Sequence, residues 1–383
     1  MTKKIFATVS IFMAFFSLAA QETTKTADIK MVAVSTSSNL TEDSTKSLTI
    51  SGGLDAYYRY NFSDKFVNNG TSFTNSQSSF ELGMATVRID AIALSGKVTA
   101  TVDLGFGRRA EDFSYNDGVM ASGKNGFVSL SNIKQAYLTY APSSTVKFTM
   151  GKFATHVGYE LVDAQLNRNY SMSYMFTNGP FFHTGLKADI TAGPVGFMVG
   201  VTNYTDQSTA TNNVKSVIAQ VSSGSSNGKL KAYLNYVGSF GSKSQSIPGV
   251  PYALKSLSQL DLVVSGIVSS KFGIGFNGTI QNRQTNLTAT SGSWWGSAVY
   301  LNFDPTATLG ITLRSEYIGD TKPVYFSTKN IFANTLSFSC KVGPLTIIPE
   351  LRFETAQGAI FTKKDGTSTK STATALLAAV YKF

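Results

Sequence analysis

Cysteine is all but missing. Cys340 stands alone in 383 residues, so no disulfide framework can hold the fold. Histidine is nearly as scarce: His156 and His183 are the only two. A metal centre of three or four converging ligands has too little to draw on, and no metal or cofactor is expected. Proline is sparse, with nine residues, which suits long uninterrupted strands. Past residue 20, no apolar run approaches the ~18 residues that a membrane-crossing helix needs. Acidic residues are the minority charge, 23 against 33 basic. The basic residues are scattered without forming a patch, which argues against nucleic acid as a partner.

What is there begins with an export signal. Lys3 and Lys4 form a positive start, residues 5–18 an apolar core, and Ser17-Leu18-Ala19-Ala20 a small-residue cleavage site. An uncleaved anchor is the alternative, disfavoured by the short core and the small residues after it. Removing Lys3 and Lys4 lowers the net charge from +10 to +8. Residues 1–20 are read as a signal peptide. Residues 21–47, rich in Ser and Thr and without aromatics, are read as a flexible periplasmic leader; nothing positive suggests a plug.

From residue 48 to Phe383 the chain repeats one unit: alternating strand, tight turn, alternating strand, longer polar loop. The tight turns include Ser95-Gly96, Gly193-Pro194, Asn227-Gly228, Asp304-Pro305 and Gly343-Pro344. The longer loops fall near 63–79, 107–130, 153–179, 205–213, 239–255, 283–292, 319–328 and 355–370. Short and long connections alternate to the end. A soluble sandwich has no reason to sort its connections, whereas a transmembrane barrel keeps short turns in the periplasm and long loops outside. The expected fold is therefore all-β: a transmembrane antiparallel β-barrel of about 16 strands, occupying residues 48–383. A weak strand at 214–223 leaves 14 or 18 open.

Strand faces follow period two. Within 97–106, Val98, Ala100, Val102, Leu104 and Phe106 oppose Lys97, Thr99, Thr101 and Asp103. In 345–354, Leu345, Ile347, Leu351 and Phe353 oppose Thr346, Glu350, Arg352 and Glu354. Charge keeps to one parity, because a lipid-facing Lys or Arg costs roughly 2–4 kcal/mol at mid-depth. That face is too charged for a dry core and predicts a water-filled lumen. Its expected charges include Arg59, Arg88, Asp90, Lys187, Asp189, Arg314, Glu316, Glu350, Arg352 and Glu354. Basic residues slightly outnumber acids there, so weak anion preference is expected. Much of this charge is expected to pair across strands. Tyr58, Tyr60, Phe62, Trp295, Tyr317, Phe353, Tyr381 and Phe383 are expected in the interfacial girdles. Cys340 falls on the outward parity. The last strand ends on the aromatic Phe383, an end that barrel-assembly machinery is expected to engage.

Residues 151–187 carry a family resemblance. Gly151-Lys152-Phe153, Thr155-His156, Gly158-Tyr159-Glu160, Asn167-Arg168-Asn169-Tyr170-Ser171, Ser173-Tyr174, Gly179-Pro180-Phe181 and His183-Thr184-Gly185 resemble the OmpL-like β-barrel porins, the type-2 porin family of Bacteroidetes-type bacteria. Residues 51–60, around Asp55-Ala56-Tyr57-Tyr58, and Gln135-Ala136-Tyr137 match as well. The resemblance implies an outer-membrane barrel and a porin, with no defined solute. Physically, loop 153–179 mixes aromatics with charge and is long enough to fold inward. A pore constriction is expected from Tyr159, Glu160, Asp163, Arg168 and Tyr170, with the three charges setting a transverse gradient. The competing reading packs the loop on the rim.

The functional expectation is passive diffusion of small hydrophilic solutes across the outer membrane. Alternatives are a substrate-specific channel, for example for oligosaccharides, and a non-conducting adhesin or structural barrel. A Ser–His–Asp hydrolase using His183 with Asp163 or Asp189 lacks a strained nucleophile elbow, and no catalysis is expected. The Gly-rich spots 105–107 and 273–275 sit in strand patterns and are read as easing curvature. A homotrimer is admissible by analogy with 16-stranded porins; no outward patch demands one.

Overall fold

The computed structural model describes residues 46–65, 68–117, 128–210, 214–240, 245–246, 253–285, 291–320 and 330–383. The expected signal peptide, and the leader up to residue 45, lie outside them.

Sixteen long strands run antiparallel, each beside its sequence neighbour. The first eight are β1 (Ser47–Asn61), β2 (Ser79–Ala93), β3 (Val98–Phe106), β4 (Ile133–Tyr140), β5 (Val146–Ala154), β6 (Phe182–Ala192), β7 (Val195–Asn203) and β8 (Lys215–Gly224). The second eight are β9 (Leu230–Phe240), β10 (Ala253–Ile267), β11 (Phe272–Thr285), β12 (Ser291–Phe303), β13 (Leu309–Asp320), β14 (Ile331–Val342), β15 (Leu345–Ala356) and β16 (Ser371–Lys382). A two-residue strand, Gln245–Ser246, pairs with the start of β10, and a small hairpin, Phe361–Thr362 with Ser368–Thr369, lies in the last long connection.

The sheet closes on itself. β16 pairs with β15 on one side and β1 on the other, with Gly53 opposite Lys382 and Asn61 opposite Thr374. Phe383 exchanges two backbone hydrogen bonds with Gly52, at 3.0 and 3.1 Å. Closure leaves no open edge, which is the condition for a sheet to cross lipid. The short connections all lie at one end, taken as periplasmic. At Gly193-Pro194 and Gly343-Pro344 the turn is two residues long, and the glycine takes φ of 59° and 57°. A hairpin needs that positive φ at its first central position.

Burial alternates along the strands, as in β15, where Ile348, Glu350, Arg352, Glu354 and Ala356 are buried and Leu351 and Phe353 exposed. Outward positions such as Val102, Leu138, Met150, Leu262, Leu351 and Leu377 form an apolar belt. Of the expected girdle aromatics, Phe62, Trp295, Phe353, Tyr381 and Phe383 are exposed, and Tyr58, Tyr60 and Tyr317 half-buried. Tyr58 packs on Phe80, and Trp295 on Tyr317. Cys340 faces outward and is exposed.

The interior departs from a uniformly polar face. On β16 the inward residues Leu376, Ala378 and Val380 are apolar and buried. They pack with Tyr57, Ile348, Ala164 and Tyr170, the last two from the connection between β5 and β6. Apolar inward positions are tolerated there because protein, not water, covers them.

Candidate functional site

The connection 155–181, between β5 and β6, descends inside the barrel. Its neck closes where the Thr155 amide donates to the Phe181 carbonyl at 3.0 Å. His156 Nε2 lies 3.1 Å from the Tyr236 carbonyl of β9, and the Gly158 amide donates to Asp261 of β10 at 3.0 Å. Tyr159 stacks on Tyr300 of β12, ring centroids 4.0 Å apart. Arg168 pairs with Asp304, in the periplasmic turn between β12 and β13. The loop therefore runs the height of the barrel before returning through a short helix, α1 (Tyr174–Asn178), whose first turn is capped by Ser173.

Irregular backbone in a buried interior must find its hydrogen bonds from the surroundings. The wall supplies them. Glu350 accepts the Tyr170 and Ser171 amides at 2.8 and 3.2 Å. Glu316 accepts the Tyr174 amide at 2.7 Å. In the other direction, Arg314 donates to the Ser171 and Met172 carbonyls, and Arg352 donates to the Met172 carbonyl at 2.9 Å. Side chains complete the seal: Tyr170 OH donates to Asp55, Tyr174 OH to Glu354, and Asn169 to Ser337. The wall carboxylates and guanidiniums also meet one another. Arg352 lies 3.0 Å from Glu316 and 3.1 Å from Glu354.

The strand glycines are recesses for this loop. A Cβ on Gly275 would stand 2.6 Å from the Tyr159 ring, one on Gly296 2.6 Å from Met175, and one on Gly83 1.8 Å from the Asp55 carboxylate that Tyr170 binds. Gly275 thus serves close approach of a side chain, not curvature as read from sequence. Gly105 likewise makes room for the Lys134 stem.

The five expected constriction residues all belong to this inward loop. Glu160 is buried against Arg314 and accepts the Ser173 amide. Asp163 pairs with Lys134, which also meets Asp103. Arg168 is held by Asp304, Tyr159 by its ring stack, and Tyr170 is fully buried. All three charges are neutralised in pairs, so they do not stand as the open transverse gradient expected from sequence.

The expected lumen charges divide in two. Arg59, Arg314, Glu316, Glu350, Arg352 and Glu354 lie buried on the side the loop occupies. Arg88 and Asp90 on β2, and Lys187 and Asp189 on β6, remain accessible; Arg88 is 34% exposed. Lys147, 52% exposed, lies 3.7 Å from Asp189 on the neighbouring strand. That pair crosses strands as expected. Arg88–Asp90 and Lys187–Asp189 run along one strand instead, and most buried charges grip the loop or its neighbours. Sequence parity gives the direction a side chain faces, but carries no signal for which wall the loop covers.

His183 is buried, its Nε2 3.2 Å from Thr155 Oγ1 and its ring 5.4 Å from His156. Asp189 is held by lysines 147 and 187, and Asp163 by Lys134, so neither builds a triad with His183. Among the described residues, no three His, Cys, Asp or Glu converge as metal ligands.

At the outer mouth, a second helix, α2 (Arg108–Phe113), and the turn after it fold against the loop. Arg109 donates to the Val162 and Tyr170 carbonyls. Beside them opens a cavity of about 420 Å³. Asp206 clamps its rim by accepting the Phe181 and Phe182 amides at 2.6 and 3.0 Å, and Tyr115 OH at 3.1 Å. Burial pushes the Asp206 carboxyl up to about 6, although those donors pull the other way.

Comparison with known proteins agrees with this geometry. A family model described as "Putative beta-barrel porin-2, OmpL-like" matches residues 47–383. No curated protein sequence matches the chain. Among solved structures, the outer membrane channel DcaP of Acinetobacter baumannii is similar at TM-score 0.59 and 13% identity, covering 90% of this chain and 99% of that one. An anion-selective porin from Comamonas acidovorans gives 0.58 and 11%, over 88% and 100%. OmpT of Vibrio cholerae in trimer form gives 0.57 and 12%, over 88% and 99%. At such identities the likeness is one of fold.

Proposed function

The chain belongs to the OmpL-like, porin-2 family of β-barrels, and from that premise we propose an outer-membrane porin passing small hydrophilic solutes by passive diffusion. One observation carries the reading: with the loop 155–181 folded inside, the inward charges Arg88, Asp90, Lys147, Lys187 and Asp189 still keep accessible side chains. Solutes pass along these side chains. Tyr159, Glu160, Asp163, Arg168 and Tyr170 narrow the channel by fixing the loop, while selectivity comes from the accessible wall. Three cations against two acids there support a weak preference for anions. No bond is made or broken in this mechanism.

Residues 1–20 are removed on export, residues 21–47 remain in the periplasm, and the strand ending at Phe383 is the segment offered to the assembly machinery. A homotrimer is proposed by analogy with OmpT in its trimer form. Liposome swelling with sugars of graded size tests the function. Uptake rates falling smoothly with size support free diffusion. Impermeable liposomes containing folded protein would instead favour a structural or adhesive barrel.

A further inference from the structure

The cavity at the outer mouth has a lining of unusual chemistry for a channel entrance. Amides and hydroxyls dominate it, among them Asn69, Thr71, Asn75, Thr177, Asn178 and Gln281. Its volume, about 420 Å³, falls within the ~300–1,000 Å³ typical of small-molecule sites.

Among the described residues, three formal charges border it, and each already holds the fold. Asp112 accepts the Phe73 amide at 3.1 Å and the Asn75 side chain at 3.0 Å. Asp206 is the clamp described above, and Arg283 donates to Gln281 and to the Asn178 carbonyl. An anion entering it would meet two acids for one cation.

Aromatic surface supplies the other half. Phe181 and Tyr204 are buried in the lining, and Tyr115 meets Phe181 edge-on, at 6.1 Å and 87°, with 47% of its own surface exposed. An exposed ring beside many neutral donors and acceptors matches the two faces of a sugar, apolar C–H above and below and hydroxyls around the rim.

We propose that this cavity is a mouth subsite for neutral oligosaccharide, with one sugar ring stacked on Tyr115 and its hydroxyls meeting the neutral polar lining. The proposal rests on reading the barrel as a channel, and supplies the solute class that reading leaves open.

Isothermal titration of the full chain folded in detergent tests it, with maltotriose as the neutral probe and trigalacturonate as an anion of similar length. Maltotriose binds saturably. Tyr115→Phe retains the affinity within about twofold, whereas Tyr115→Ala loses roughly five- to tenfold, the worth of one aromatic contact. Trigalacturonate binds at least about tenfold more weakly. Absence of saturable maltotriose binding, equal binding by the Tyr115→Ala variant, or tighter binding of trigalacturonate would each overturn the subsite. Ion conductance of the same sample separates the two claims: conductance without sugar binding rejects the subsite alone, and sugar binding without conductance rejects the channel alone.

Discussion

Glu350 shows how single residues fix this interior. Its carboxylate accepts two loop amides and the Ser337 hydroxyl at once. Glu350→Ala leaves those donors buried and unpaired, at about 1–3 kcal/mol each. The expected outcome is a lower unfolding temperature in detergent together with raised single-channel conductance, because a freed loop no longer holds to its wall. Asp206 gives a pH signature. Its folded value of about 6 lies above the ordinary 3.8, so the fold favours the protonated acid. That stabilisation is full below about pH 4 and is lost as pH rises through about 6, a change of up to about 3 kcal/mol. Unfolding temperature measured from pH 4 to 7 should decline, and Asp206→Asn should flatten that part of the decline. At this scale the sequence was partly legible. Period two gave the facing of Asp55, Arg314 and Glu354, since alternation is a property of the strand itself. It could not give their partners, because Tyr170 and Tyr174 reach them across more than a hundred residues of chain.

The strands were the most readable elements. Apolar residues at every second position, broken by tight turns, located β3 and β15 to within a few residues, and even the weak segment at 214–223 proved to be a strand, β8. The inward loop was less readable. Its aromatics and charges signalled that it packs, but which wall it packs on depends on recesses that look like ordinary strand glycines. Gly275 and Gly273 lie on one face of β11, yet a Cβ at Gly275 would strike Tyr159 at 2.6 Å, whereas the nearest atom to one at Gly273 is 3.3 Å away. Gly275→Ala should therefore cost about 1–3 kcal/mol of overpacking, and Gly273→Ala within about 0.5 kcal/mol. Paired thermal unfolding of the two variants checks the difference.

As a whole molecule the protein is a closed cylinder with an asymmetric interior. Part of it is filled by the loop and paired buried charge, and part is lined by accessible charge on β2, β5 and β6. Closure, the sorting of connections and the lipid-facing belt were all present in the sequence, because each repeats along the chain and is imposed by the bilayer. The asymmetry arises from one loop acting once, and leaves no periodic trace. It predicts that selectivity resides in the accessible wall. Lys147→Glu should move the reversal potential in a salt gradient toward cations, whereas Lys363→Glu, exposed in the last outer connection, should leave it nearly unchanged.

Single-channel conductance in planar bilayers, compared between the full protein and a variant lacking residues 160–175, tests the central claim most directly. A several-fold larger conductance in the deletion variant, with the full protein still conducting, is the predicted result. Equal conductance in the two proteins would contradict a lumen narrowed by this loop.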